Sequence, residues 1–243
     1  MMILNMEMIN DMEEKMKNAI ILMEEIEKKR LENREISKQN YGLLLDAHFS
    51  AMACIGTLLL NNSMKPGKTN DSISSRLNLI ASFVQGIDLC ETSISEGLYA
   101  QAANMLKQEL ETIAAIEEVI SGTRKDGKTP NVKFVKWDMG KIYGELNKVA
   151  HVSDKKALHP LFQIKPIGNA QPVSMVPIYN RSISRELYSI HVCFLIQIGK
   201  HLIDLNNELY EEYDSPTEYF MLLGAMKRLE DEEFLSGDTL QLQ

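Results

Sequence analysis

Apolar residues recur every three or four positions along most of the chain. Ile9, Met12, Met16, Ile20, Met23 and Ile26 form a narrow stripe, with Glu and Lys filling the gaps. That spacing keeps one side of an α-helix apolar. The stripe lasts about two and a half heptads before Arg30, short for an independent coiled coil. It predicts a helix that docks on the rest of the domain or on a second copy of the chain. Residues 40–62 read as a second, strongly apolar helix, and the Pro66-Gly67 pair marks a loop after it. Asp71 offers an N-cap for a third helix carrying Ile73, Leu77, Ile80, Phe83, Val84 and Ile87. Leu98, Ala102, Met105, Leu106, Leu110, Ile113 and Ile116 line a fourth, which Ser121-Gly122 ends. Residues 122–137 are polar and irregular. A shorter helix follows over 138–150, with Met139, Ile142, Tyr143, Leu146 and Val149 inward. Residues 182–213 repeat the helical pattern over a long stretch, and Pro216 opens a last helix to about residue 234. Between them, residues 154–180 hold Pro160, Pro166, Pro172 and Pro177, with β-like runs on either side of Gly168-Asn169. The pattern predicts an all-α, multi-helix up-down bundle with a small β-hairpin or flap near 160–180. It divides into an amphipathic extension (1–38), the bundle (39–235) and a loose tail (236–243).

Composition narrows the classes. Of 243 residues, 44 % are hydrophobic and 25 % charged, the balance of a folded globular chain. Cys54, Cys90 and Cys193 are odd in number and widely spaced, which points to a reducing cytoplasm rather than a disulfide framework. The run from Gly42 to Leu60 is long and apolar, but Asp46 and His48 interrupt it, so it reads as a core helix and no membrane partner is expected. No GxGxxG, GxxxxGK[ST], HExxH or GxSxG string occurs. His191, Cys193 and His201 do not converge on one helix face, and nothing else in the spacing suggests four ligands, so neither a metal nor a cofactor is expected. His48 and His191, in apolar helices, read as satisfied core residues.

Charge then picks out one region. The net charge is −8, yet residues 124–165 carry ten basic residues against Asp126, Asp138, Glu145 and Asp154. Such a local positive field attracts phosphate, making RNA or another phosphate-bearing ligand the expected partner there. At its centre, Asn147 and His151 are four apart and share a helix face. Upstream, Lys107 and Glu111 have the same spacing. Together with Tyr143 and Lys148 they predict one polar cluster drawn from two neighbouring helices, serving either a ligand or a hydrogen-bond network that pins the helices together.

Two strings, Gly97-Leu98-Tyr99-Ala100-Gln101-Ala102-Ala103-Asn104-Met105-Leu106-Lys107-Gln108-Glu109-Leu110-Glu111-Thr112 and Tyr143 through His151, carry a family resemblance. Together they resemble HEPN-like bacterial helical domains, in the branch with L-x-[RK]-x-x-x-E and L-N-x-x-A-H patterns. The resemblance spans about residues 72–210. It implies a helical bundle, a homodimer and a place in toxin–antitoxin, anti-phage or stress systems. Catalytic members of the family are metal-independent endoribonucleases. On their motif, Asn147 and His151 take the polar and histidine positions, with His151 as general acid or base. Leu146 stands where the family has arginine, and leucine has no donors for phosphorane charge. The resemblance therefore implies a non-catalytic or degenerate interaction and sensing module, with a ribonuclease toxin using His151 as one alternative. A purely structural adaptor, partnered through the 9–26 seam, is the other.

Overall fold

A computed structural model describes residues 6–60, 69–152, 154–168, 170–210 and 213–235. The predicted loose tail lies outside these residues. Eight α-helices follow one another: α1 (Met6–Tyr41), α2 (Leu43–Leu60), α3 (Asp71–Ser95), α4 (Tyr99–Ile120), α5 (Tyr143–Ala150), α6 (Lys155–Phe162), α7 (Arg181–Leu209) and α8 (Pro216–Asp231). The all-α reading is correct, and among the described residues there is no β-strand.

The core is built around α7. Asn180 starts this helix by accepting hydrogen bonds from the Ser182 and Ile183 amides. From Tyr188 to Leu205 it is buried on nearly every side. A helix apolar all round must be surrounded, and α2, α3, α4 and α8 pack against it. The apolar run of α2 is the one described helix long and apolar enough to cross a membrane. Its Leu44, Ala47, Ala51, Cys54, Ile55 and Leu58 are buried in the bundle.

The boundary between the first two helices is sharper than the pattern predicts. α1 continues to Tyr41 and breaks at Gly42, whose φ is +55°. Glycine takes this left-handed conformation without a Cβ penalty. The corner is then gripped: Glu232 accepts the Leu43 amide at 3.1 Å, and Arg185 reaches both Glu232 and the Asn40 carbonyl.

α1 belongs to the bundle only in its second half. Arg30 and Arg34 pair with the buried Glu96, Asn33 donates to the Glu96 carbonyl at 3.0 Å, and Ser37 donates to the Ser95 carbonyl at 2.8 Å. Residues 11–24 are exposed all round, with Met12 at 53 %, Met16 at 66 %, Ile20 at 56 % and Met23 at 70 %. From Met12 to Met23 the predicted seam is therefore a bare stripe on a projecting helix, docked on nothing among the described residues.

The expected β flap is not a hairpin of strands. Residues 155–162 form α6, opened by Asp154, whose carboxylate accepts the Lys156 amide. The sequence pattern places this stretch at the start of the flap, with Pro160 among its four prolines. In so short a helix that proline forfeits only the bond to the Lys156 carbonyl. Beyond it the chain folds back through isolated antiparallel bridges, Gln163 with Val173 and Ile167 with Ala170. Pro166 and Pro172 lack the amides that would extend these into a ladder.

Candidate functional site

Two polar constellations share α4, one facing outward and one facing the core.

The outer one is the predicted cluster. α5 is set against α4 by an unusual approach: Trp137 and Asp138 both have positive φ, and Gly140 lies so close to Val132 that a Cβ would stand 2.4 Å from its carbonyl oxygen. The 3₁₀ turn Met139–Ile142 then feeds α5. This brings Tyr143 to α4, where its hydroxyl donates to Glu111 Oε1 at 2.8 Å. Lys107 Nζ lies 3.6 Å from the same oxygen and 5.9 Å from the centre of the Tyr143 ring. Burial, and then the neighbouring Glu111 carboxylate, push the Tyr143 hydroxyl up to about 12. Lys107, Glu111 and Tyr143 therefore meet as expected.

The remaining members of the predicted site do not join them in the same way. Lys148 is engaged by Glu145 at 2.6 Å. Asn147 is half-buried on α5, and its carbonyl accepts the His151 amide at 3.0 Å, which closes the helix. The His151 ring is exposed and has no partner among the described residues. Leu146 is buried in the core cluster, so the position of the family's arginine points inward here. A smaller part of the basic segment's charge is locally answered, Arg124 by Glu118 and Lys141 by Asp138. Lys125, Lys128, Lys133, Lys155, Lys156 and Lys165 remain exposed without an ion pair among the described residues.

The inner constellation escaped sequence reasoning. His191 of α7 meets Glu109 of α4, Nδ1 to Oε2, at 3.0 Å. Cys90 of α3 lies beside both. His191 is 0 % and Glu109 4 % exposed. Burial, and then the Glu109 carboxylate, push the Cys90 thiol well up. The row continues toward α1: the His48 ring centre lies 5.8 Å from that of His191, Tyr188 is next, and the Tyr41 and Tyr188 rings stack at 3.9 Å. Tyr41 ends the row by hydrogen bonding Ser184 at 2.9 Å. Burial depresses His48 to about 3, so it is a neutral imidazole. The expectation of satisfied core histidines fails in detail. His48 Nε2, His191 Nε2, Glu109 Oε1 and the Tyr188 hydroxyl have no hydrogen-bond partner among the described residues. The signal available in the sequence was a set of polar residues in the core registers of three helices, Cys90, Glu109 and His191. Their meeting is a tertiary fact that spacing along one helix does not carry.

No family model matches the chain, and comparison with curated proteins and with solved structures finds no match either.

Proposed function

We propose that this chain is a non-catalytic, HEPN-like interaction and sensing module of a bacterial defence or stress system, cytoplasmic and homodimeric. The observation that carries the reading is the bare apolar stripe of α1. A projecting helix with Met12, Met16, Ile20 and Met23 exposed is marginal in water by itself, because most helical stability comes from packing an apolar face. Methionine suits such a surface, since its flexible thioether adapts to a partner. The length of the stripe favours a second copy as that partner, since two arms laid side by side cover each other's Met12, Met16, Ile20 and Met23. The exposed lysines near α5 and α6 supply the field for a phosphate-bearing ligand, RNA included.

The α5 geometry favours the non-catalytic form of this reading over the ribonuclease. Buried Leu146 leaves no arginine fork beside Asn147 and His151, and Lys107 is committed to Glu111 and Tyr143. Light scattering tests the association. The full chain should show a dimer mass, and the double variant Met16→Asp/Ile20→Asp a monomer mass. A monomeric wild type at tens of micromolar would remove the reading. Inducible expression tests the chemistry: RNA breakdown by the wild type but not by His151→Ala would replace it with the ribonuclease.

A further inference from the structure

Three helices that are distant in sequence meet at the inner constellation. Cys90, Glu109 and His191 each bring one ligand atom within 4.8 Å of the other two, and all three side chains are buried. We propose that they hold a zinc-type divalent ion, a structural staple joining α3, α4 and α7. This reading does not depend on the interaction function proposed above, and it replaces the expectation of no metal.

The donor set fits. Zinc takes sulfur, imidazole nitrogen and carboxylate oxygen at about 2.0–2.3 Å in tetrahedral sites, which puts neighbouring donors about 3.3–3.7 Å apart. The His191 Nδ1 to Glu109 Oε2 separation is already 3.0 Å. With every pair inside 4.8 Å, adjustments of about an ångström close the set.

Charge balance gives a second reason. Glu109 has no Lys or Arg partner among the described residues, only His191. A buried carboxylate with no cation opposite it is costly. A divalent ion supplies the missing charge, with the imidazole ligating through Nδ1 and carrying its proton on Nε2. Cys90 releases its thiol proton to solvent, thiolate and carboxylate together carry −2, and the imidazole stays neutral. The ion cancels that charge, and the buried site is left neutral overall.

The surroundings agree with a structural role. The His48 ring, its centre 5.8 Å from that of His191 and its Nε2 without a partner among the described residues, offers a polar atom to a water in the fourth position. A cleft of about 270 Å³, lined by Arg34, Lys38, Tyr41, Asp88 and Glu91 among others, ends on the Tyr41 ring, the outer member of the row. Burial of the three ligands leaves no room for a substrate, so the ion would hold helices together rather than catalyse.

The test uses the full chain, unfolded, stripped of metal and refolded with zinc or with cobalt alone. One equivalent of zinc should remain after gel filtration. The cobalt form should show the near-ultraviolet thiolate charge-transfer band and the visible bands of a four-coordinate site. Cys54→Ser and Cys193→Ser should each keep that band, and Cys90→Ser should lose it. The wild-type spectrum reads thiolate ligation directly, so the test stands even if Cys90→Ser does not fold. Adding a chelator during refolding should lower the wild-type Tm by about 5 °C or more. A wild type that refolds to native helicity with zinc yet retains none would overturn the proposal. So would a cobalt spectrum without a thiolate band, or one that Cys90→Ser preserves.

Discussion

Glu109 and Glu111 are two residues apart on α4, which turns their side chains about 200° apart around the helix axis. Glu111 looks outward, shares its oxygen with Tyr143 and Lys107, and keeps contact with water. Glu109 looks inward and is 4 % exposed, with an imidazole and a thiol as neighbours. The same carboxylate is thus a surface brace in one place and the centre of an internal polar row in the other. Solvent makes the difference: water dilutes the outer ion pair, while nothing around Glu109 substitutes for a lost partner.

Substituting each glutamate in turn gives the largest contrast. Glu109→Ala strands His191 and Cys90 in the core and should cost about 3–5 kcal/mol, a drop of roughly 10 °C in thermal melting. Glu111→Ala should cost about 1 kcal/mol or less. Equal losses would mean that burial does not separate the two regions.

Leu146→Arg sharpens the comparison next, because it puts an arginine where the HEPN-like motif has one, at a position that faces the core. The outcome expected is a loss of about 2–4 kcal/mol in urea melts, from a lost apolar contact and a charge forced inward, and no RNA cleavage. Cleavage by a stably folded Leu146→Arg chain would show that α5 can turn a cation outward.

Acid should weaken the interior through His201. Burial depresses His201 to about 4 although Glu117 lies 3.6 Å away. Between its unfolded value near 6.5 and about 4, the unfolded chain binds the extra proton, so stability rises with pH. The contribution is complete above about 6.5 and is lost as pH falls toward 4, about 3 kcal/mol in all. His201→Gln should flatten that part of the stability–pH curve, and an unchanged slope would exclude His201 as its source.

The smallest effect belongs to the outer hydrogen bond. Tyr143→Phe should cost about 0.5 kcal/mol and lower the high ionisation of the tyrosine absorbance at alkaline pH by one group. A much larger loss would mean that this bond pins α5 rather than merely touching α4.

The helices were legible because their packing is periodic. Leu106, Leu110 and Ile113 repeat on one face of α4 in the chain and in the core alike. The outer cluster was legible for a related reason, since Lys107 with Glu111 is a local pair and Tyr143 needs only α5 to reach it. Gly42 was hidden at the head of an apolar run, where nothing local distinguishes a corner from the first turn of a helix. α6 was hidden by Pro160. The inner row could not be read at all: His191 and Glu109 are 82 positions apart, and only the packing of α7 between α3 and α4 makes them neighbours.

The projecting half of α1 has a mechanical side. Roughly 36 Å of helix lies beyond Arg30, while the grip on Glu96, Thr92 and Ser95 occupies barely two turns. Any force on the tip is multiplied at that fulcrum, and a slight tilt there becomes a swing several times larger at the far end. The fulcrum has little slack, because Gly97 lies so close to the strap entering α7 that a methyl group would stand 2.5 Å from the Ile178 carbonyl oxygen. Whatever holds the tip therefore leans on the lead-in to the central helix.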